Sequence, residues 1–433
     1  MLFEKIGIIN EQYEYVPDMY VGTLGNRIVY VSDVAPDEAH AAALGERYSG
    51  AGRVLMPAFY NAHGHSPMSL LRGYGENLPL DRWLNEKIFP FEAKMYRKAA
   101  YWATLLTMAE SVRTGIVSTT DMYNFVDDIV RAVSESGTKV NIGRHVVDFT
   151  GGDPADNVTF QEMRQSILMY DGFQDGRIRT DASLHAEYTS NERTVRAVAD
   201  AAKEFDVRVH VHVAETAKET KDCMERHGGE TPVQYLARCG LFDQPTTAAH
   251  CVWLTDEDRD ILFEKGVTVA SNPVSNMKLV NGMCETAKLY DRGVRVAIGT
   301  DSVASNNSLN FFEEIKVFAL SGKMRANDPA ALTPAQILRS ASREGAASQG
   351  RTDCGLIKEG YRADLIVVDA TAPNMHPVHS MLNNLIYSAS GSDVVLTMAD
   401  GAVLYDRGEY KTIDLERVKY EVEQARNKIL LSL

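Results

Sequence analysis

His63 and His65, in Pro57-Ala58-Phe59-Tyr60-Asn61-Ala62-His63-Gly64-His65, stand two apart at the end of an apolar run. Side chains two apart on a strand project from the same face, so both imidazoles can reach one ion from a rigid wall. Three later segments each end in a group suited to metal binding or proton transfer: His212 with Glu215, His250, and Asp301. A third imidazole and a carboxylate would close three sides of an ion and leave a position for water, the layout of a mononuclear metal hydrolase.

Each residue taken singly has a plainer alternative. A histidine pair at i and i+2 arises by chance in ordinary chains. His210 and His212 are also two apart, and one or both can be satisfied core residues; His212 is favoured because Glu215 follows it within one turn of chain. Glu215 is three positions on, an odd step that in an ideal strand faces the other way, so the pairing requires the strand to end there and bend. Asp301, in Ile298-Gly299-Thr300-Asp301, ends an apolar run where a buried carboxylate is expensive unless paired or metal-bound; the alternative is a cap on the next helix. His250, after Thr247-Ala248-Ala249, reads by itself as a core histidine. Together they are harder to dismiss, because all of them end runs of the same kind.

Those runs define the elements that must position the groups. From about 55 to 355, short apolar runs beginning near Val54, Ile116, Val140, Ile178, Val207, Thr247, Val267 and Val294 alternate with amphipathic stretches such as Ala99 to Arg113 and Asn191 to Phe205. Eight βα units in about 300 residues match a closed (β/α)8 TIM-type barrel, whose chemistry lies at the C-terminal strand ends. The first, fifth, sixth and eighth ends carry His63/His65, His212/Glu215, His250 and Asp301. Residues 1–54 hold short alternating runs such as Arg27 to Val31, and 356–433 return to strand character at Ala363 to Asp369 and Val394 to Met398. These two ends are expected to pair into one small β-sandwich domain, with Asp414 to Leu433 as a closing helix.

The chain has 433 residues, 45% of them hydrophobic, enough for one large and one smaller domain. Its 45 basic and 59 acidic residues leave a net charge of -14, which repels phosphate backbones and anionic membrane surfaces. Nucleic acid and membrane are therefore excluded as expected partners. The five cysteines have no Cys-x-x-Cys spacing, and Met1 to Ile6 lacks a basic stretch with an apolar core behind it. No window approaches the roughly 18 uninterrupted apolar residues of a membrane span, so a reduced, cytoplasmic protein is expected.

With those residues placed, the chain resembles the amidohydrolase superfamily nearly end to end. Within it, the cytosine/adenine-type aminohydrolases that include methylthioadenosine/S-adenosylhomocysteine deaminases are most similar. The residues that carry the resemblance are Pro57 to His65, Leu78-Pro79-Leu80 with Trp83-Leu84, Phe89-Pro90-Phe91-Glu92, His212-Val213-Ala214-Glu215-Thr216, Ala248-Ala249-His250-Cys251, Ser271 to Leu279, and Gly299-Thr300-Asp301 with Ala304 to Asn307. The resemblance implies one divalent ion on His63, His65, His212 and Asp301, usually zinc, with Fe²⁺ or Ni²⁺ also suited to such donors. It implies proton acceptance by Asp301, ring protonation by Glu215, and a hydrogen bond from His250 to the attacking oxygen. It also implies homo-oligomer formation as a family trait.

For the substrate, Glu92 is similar to the family's ribose-hydroxyl acceptor and His185 to its substrate-contacting histidine. Arg144 matches the first of two arginines that hold the amino-acid end of S-adenosylhomocysteine. The second should lie in the following loop, where this chain reads Thr150-Gly151-Gly152-Asp153-Pro154. Asp153 would weaken a carboxylate clamp, which depends on the guanidinium fork. The expectation is thus 5'-methylthioadenosine, 5'-deoxyadenosine or adenosine ahead of S-adenosylhomocysteine.

The rival activities are hydrolysis of another ring, such as guanine, a pterin or a triazine, on the same site, and a non-catalytic binding role for the scaffold. Glu92 discriminates the first, since a free base has no ribose to hold. The full set of ligand and proton-transfer residues opposes the second. His185 with Glu187 imitates the His-x-Glu of zinc cytidine deaminases, but no Pro-Cys-x-x-Cys follows. Ser183-Leu184-His185 also lacks the lysine of a binuclear site, which favours one metal.

Overall fold

The computed structural model describes residues 1–78 and 80–433, so Pro79 of the Leu78-Pro79-Leu80 motif lies outside the described residues. Eight strands run parallel around a barrel: β1 (Phe59–Gly64), β2 (Ile116–Met122), β3 (Lys139–Gly143), β4 (Ile178–Ala186), β5 (Arg208–Val213), β6 (Thr246–His250), β7 (Thr268–Ser271) and β8 (Arg295–Ile298). β1, β2, β3, β6 and β7 are buried along their whole length, as strands flanked by helices outside and side chains inside must be. Register is set by pairs such as Asn61↔Thr119, Val211↔Ala248 and Val269↔Val296. The ring closes where the Asp301 amide donates to the His63 carbonyl at 3.0 Å and Gly64 bridges Asp301. Gly299 permits that approach, because a Cβ there would sit 2.2 Å from Asn272 Oδ1 and 2.9 Å from His63 Cβ.

Seven barrel strands start at or within a residue of their expected positions. The first run divides instead. Arg53–Pro57, which contains Val54, pairs parallel with Leu2–Ile9 and antiparallel with Leu365–Asp369, and the barrel begins only at Phe59. The unbroken apolar stretch from Val54 to Tyr60 has no polar residue to mark the change of sheet.

Both chain ends join in one mixed nine-stranded sheet. Its side chains alternate: Val54, Met56, Ile366 and Val368 point into the barrel core, whereas Leu55, Leu365, Val367, Leu396 and Met398 enclose a second core with Phe3, Ile6 and Ile8. A buried ionic knot joins the sheet to the foot of β3, where Lys139 Nζ donates to Asp364 Oδ2 at 2.5 Å and Asp400 Oδ1 at 2.8 Å. The Tyr60 hydroxyl also donates to Asp364.

The expected amphipathic stretches are helices Arg97–Thr114 and Glu192–Phe205, the latter capped by Asn191. The closing helix spans Leu415–Leu430 with Asp414 as its cap and buries Val418, Val422, Ala425 and Ile429, a single helical stripe, in one cluster with residues of Arg97–Thr114. Among the described residues no helix is long and apolar enough to cross a membrane, and all five cysteines are free and buried.

Candidate active site

A cavity of about 650 Å³ opens at the C-terminal strand ends, and His65, Glu92, His185, His212, Glu215, His250 and Asp301 line it. Behind its wall His63 is fully buried. The ligand-type atoms of His63, His65 and His212 lie within 4.8 Å of one another, as do those of His63, His250 and Asp301.

Each of the three imidazoles is fixed through Nδ1. His65 Nδ1 donates to the Met122 carbonyl at 2.6 Å and His212 Nδ1 to the His185 carbonyl at 2.7 Å, both acceptors being backbone near the end of a neighbouring strand. His63 Nδ1 meets His210 Nε2 at 3.0 Å. A carbonyl can only accept, so in His65 and His212 Nδ1 carries a proton and Nε2 is the atom left to ligate. Burial lowers His65, but Asp301 outweighs it and raises the imidazole to about 9, so a proton on its Nε2 would leave on ligation. His63 Nε2 is buried without a hydrogen-bond partner, an arrangement that costs energy unless something else engages the lone pair. Three imidazole nitrogens and a carboxylate oxygen are donors suited to a divalent ion such as Zn²⁺, which would be five-coordinate with a water. Burial pushes His63 down to about 3 and His212 well below the usual imidazole range, keeping both neutral as ligation requires.

Asp301 Oδ1 lies 3.5 Å from His63 Nε2 and 3.3 Å from His65 Nε2. Burial works against its charge, but the two imidazoles outweigh burial and hold the carboxyl well below the usual carboxylate range. Its position is set by the Ser302 amide at 2.7 Å on Oδ1, and by the Ser275 and Ser305 hydroxyls at 2.5 and 3.1 Å on Oδ2.

Glu215 reaches the cavity by the bend that its spacing from His212 demands. β5 ends at Val213 and Ala214 takes φ 49°, a left-handed conformation costly for alanine, which turns the next side chain inward. Glu219 holds that bend, its carboxylate accepting from the amides of Ala214 and Glu215 at 2.8 Å each. The Thr216–Glu219 capping box is written in the sequence as Thr-x-x-Glu and could have revealed this clamp. Burial raises Glu215, favouring its protonated form. His250 and Asp301 likewise have positive φ, 73° and 59°, so three strand ends store strain at one rim. His250 Nδ1 bonds Asn276 Oδ1 at 2.9 Å, and its Nε2 lies 3.8 Å from Glu215 Oε2.

Glu92 accepts from the Tyr123 hydroxyl at 2.5 Å, and burial raises its carboxyl despite that bond. His185 Nδ1 bonds Thr189 Oγ1 at 3.0 Å, and burial lowers it to about 4. Arg144 does not reach the cavity. Its Nε donates to Glu162 at 2.8 Å and its Nη1 to the His145 carbonyl at 2.6 Å, while His145, Val147 and Phe149 line the wall in its place. The segment after β3 is extended, so Arg144 falls on the opposite side from these three. His145 is a cavity-lining residue that the spacing of the sequence does not single out, while His210 reads from sequence as a core neighbour of His212.

Strand-end metal donors and buried proton-transfer groups on a (β/α)8 barrel define a hydrolase of the amidohydrolase type. Residues 54–404 match that family, and the chain belongs to it. It is a metal-dependent deaminase of the family. It is 39% identical over 375 residues to the 5-methylthioadenosine/S-adenosylhomocysteine deaminase of Dictyoglomus thermophilum, 87% of each chain. It is 38% identical over 401 residues to the 5'-deoxyadenosine deaminase of Methanothermobacter thermautotrophicus, 92% of this chain and 91% of that one. An adenosine deaminase from Xanthomonas campestris with bound zinc superposes with a TM-score of 0.91 at 31% identity, covering 99% of this chain and 98% of that one.

Proposed function

We propose that the protein hydrolyses the 6-amino group of an adenine nucleoside carrying a small uncharged 5' group, such as 5'-methylthioadenosine or 5'-deoxyadenosine, to the inosine derivative and ammonia. The observation that carries this reading is the composition of one cavity. The pinned imidazoles and Asp301 face Glu215 and His250, Glu92 supplies a carboxylate for a ribose, and no lysine or arginine is among the described lining residues. The zwitterionic end of S-adenosylhomocysteine would find no cation there, whereas Phe89, Val147 and Phe149 offer an apolar wall. The adenine ring is supported by the deaminases to which the chain is similar.

His63, His65, His212 and Asp301 would hold one divalent ion, Zn²⁺ in this proposal. When bound, such an ion lowers the pKa of water to about 7 and so supplies a nucleophile at neutral pH. Asp301, ionised and fixed by three donors, receives the proton of the attacking water. Glu215, whose carboxyl burial raises, donates to N1 of the ring and then recovers the remaining hydroxyl proton of the adduct, while the proton held on Asp301 passes to the departing amine as the C–N bond breaks. His250 orients the attacking oxygen from beside Glu215, and His185, kept neutral, contacts the substrate. The free, buried cysteines support a reducing, cytoplasmic setting.

The deciding experiment incubates the zinc-loaded protein with adenosine, 5'-methylthioadenosine, 5'-deoxyadenosine, S-adenosylhomocysteine, guanine and cytosine, following ammonia and the ultraviolet change from adenine to hypoxanthine. Turnover is expected on the uncharged adenosines and abolished by chelator. Silence on every adenosine would reject the substrate class and direct the search to other rings.

A further inference from the structure

Glu314, in helix Phe311–Ala326 outside the barrel, is only 2% exposed, and the chemistry described above does not use it. Burial raises its carboxyl to about 8, and among the described residues no cation stands beside it to offset that burial. Two neutral donors hold it instead. Its Oε1 accepts from the Val274 amide at 3.0 Å and its Oε2 from Asn306 Nδ2 at 2.7 Å.

Those donors sit in the two loops that orient the proton-handling groups. Val274 opens the turn after β7 that carries Ser275 and Asn276, which bond Asp301 and His250. Asn306 lies in the turn after β8 that carries Ser302 and Ser305, both donors to Asp301, and its Nδ2 also donates to the Thr300 carbonyl at 2.8 Å. The two turns meet directly through Ser275 Oγ and Ser305 Oγ at 2.9 Å.

We propose that Glu314 is a positioning residue for the deamination: by tying the β7 and β8 turns together it sets the orientation of Asp301 and His250 without touching substrate. A carboxyl group suits the task because each of its two oxygens can accept, one from each turn. Glutamine can accept through only one of its two terminal atoms, so Glu314→Gln keeps the shape but breaks one tie. The inference takes its reaction from the deaminase reading, and one of its tests is independent of any substrate.

Glu314→Gln is expected to lower kcat by about 10-fold to 100-fold, the range for supporting residues around metal sites, with KM within about twofold. The same variant loaded with cobalt(II) should shift the visible ligand-field bands relative to cobalt-loaded wild type. Glu313→Gln, one residue away and exposed, should change neither. Asn306→Ala cuts the second tie and should reproduce the loss of kcat and the spectral shift, which keeps the test open if Glu314→Gln does not fold. Folded Glu314 or Asn306 variants with wild-type cobalt spectra and kcat would overturn the proposal. Unchanged spectra alone overturn it even if no adenosine is turned over, so its failure is distinct from failure of the substrate reading.

Discussion

Glu215 Oε2 lies 3.8 Å from His250 Nε2, and this approach exists because Ala214 has crossed into left-handed backbone space at φ 49°. The two groups come from adjacent strands, β5 and β6, and Asn281 Nδ2 holds the other carboxylate oxygen at 2.7 Å. One side of the pair is therefore fixed by a loop amide and the other by the strained strand end, leaving the carboxyl aimed across the cavity.

Replacing that carboxyl removes the proton donor while preserving size. Glu215→Gln should lower kcat by about 10²-fold to 10⁴-fold, as for a single positioned acid or base, with metal content unchanged. Steady-state kinetics beside elemental analysis separates the two effects; loss of bound metal would place Glu215 among the ligands instead.

His210 should act through His63. His210→Ala removes the partner of His63 Nδ1, 3.0 Å away, and is expected to weaken metal affinity by about 10-fold to 100-fold. Competition with a chromogenic chelator measures this directly. Affinity equal to wild type would mean that packing alone orients His63.

Glu92→Gln tests the ribose contact. A hydrogen bond to a charged acceptor is worth about 1.5–3 kcal/mol, so kcat/KM for an adenosine should fall by roughly 10-fold to 150-fold. Undiminished turnover would contradict the nucleoside reading and favour a free base.

Lys139→Met should destabilise the fold by about 3–5 kcal/mol, because it leaves Asp364 buried without its cation. In the native knot burial opposes the charge of Asp364, yet Lys139 and the hydrogen bonds outweigh it and hold the carboxyl below its ordinary value. A group depressed on folding stabilises above its unfolded pKa of about 4 and loses that contribution as pH falls through the lower folded value. Denaturant melts from pH 7 to pH 3 should show the wild type losing stability on the acid side more steeply than the Lys139→Met variant.

Much of the site was legible because an ionisable residue that ends an apolar strand run is costly to bury unless it binds a metal, carries a proton or pairs with another charge. His63, His65, His212, His250 and Asp301 all came from that pattern, and the structure gathers them at one rim. The bend at Ala214 was implied by the odd spacing but not by the residue, since alanine gives no signal for positive φ. Arg144 pairs with Glu162 and is not among the residues lining the cavity; the direction of a side chain just past a strand depends on register, which spacing does not encode there. His210 supports the site through His63, a partner 147 residues away, whereas the clamp by Glu219 is local and written in its capping box. The continuous apolar run from Val54 to Tyr60 carries no mark where one sheet ends and the other begins.

Two of the three imidazoles are oriented by main-chain carbonyls, those of Met122 and His185, rather than by side chains. Substitution at either position leaves the acceptor in place. The reacting centre is thus largely insulated from changes in the wall that receives the substrate, so Phe89, Val147 and Phe149 are free to diverge. A lineage starting from this scaffold could exchange one nucleoside for another without rebuilding the machinery that hydrolyses it.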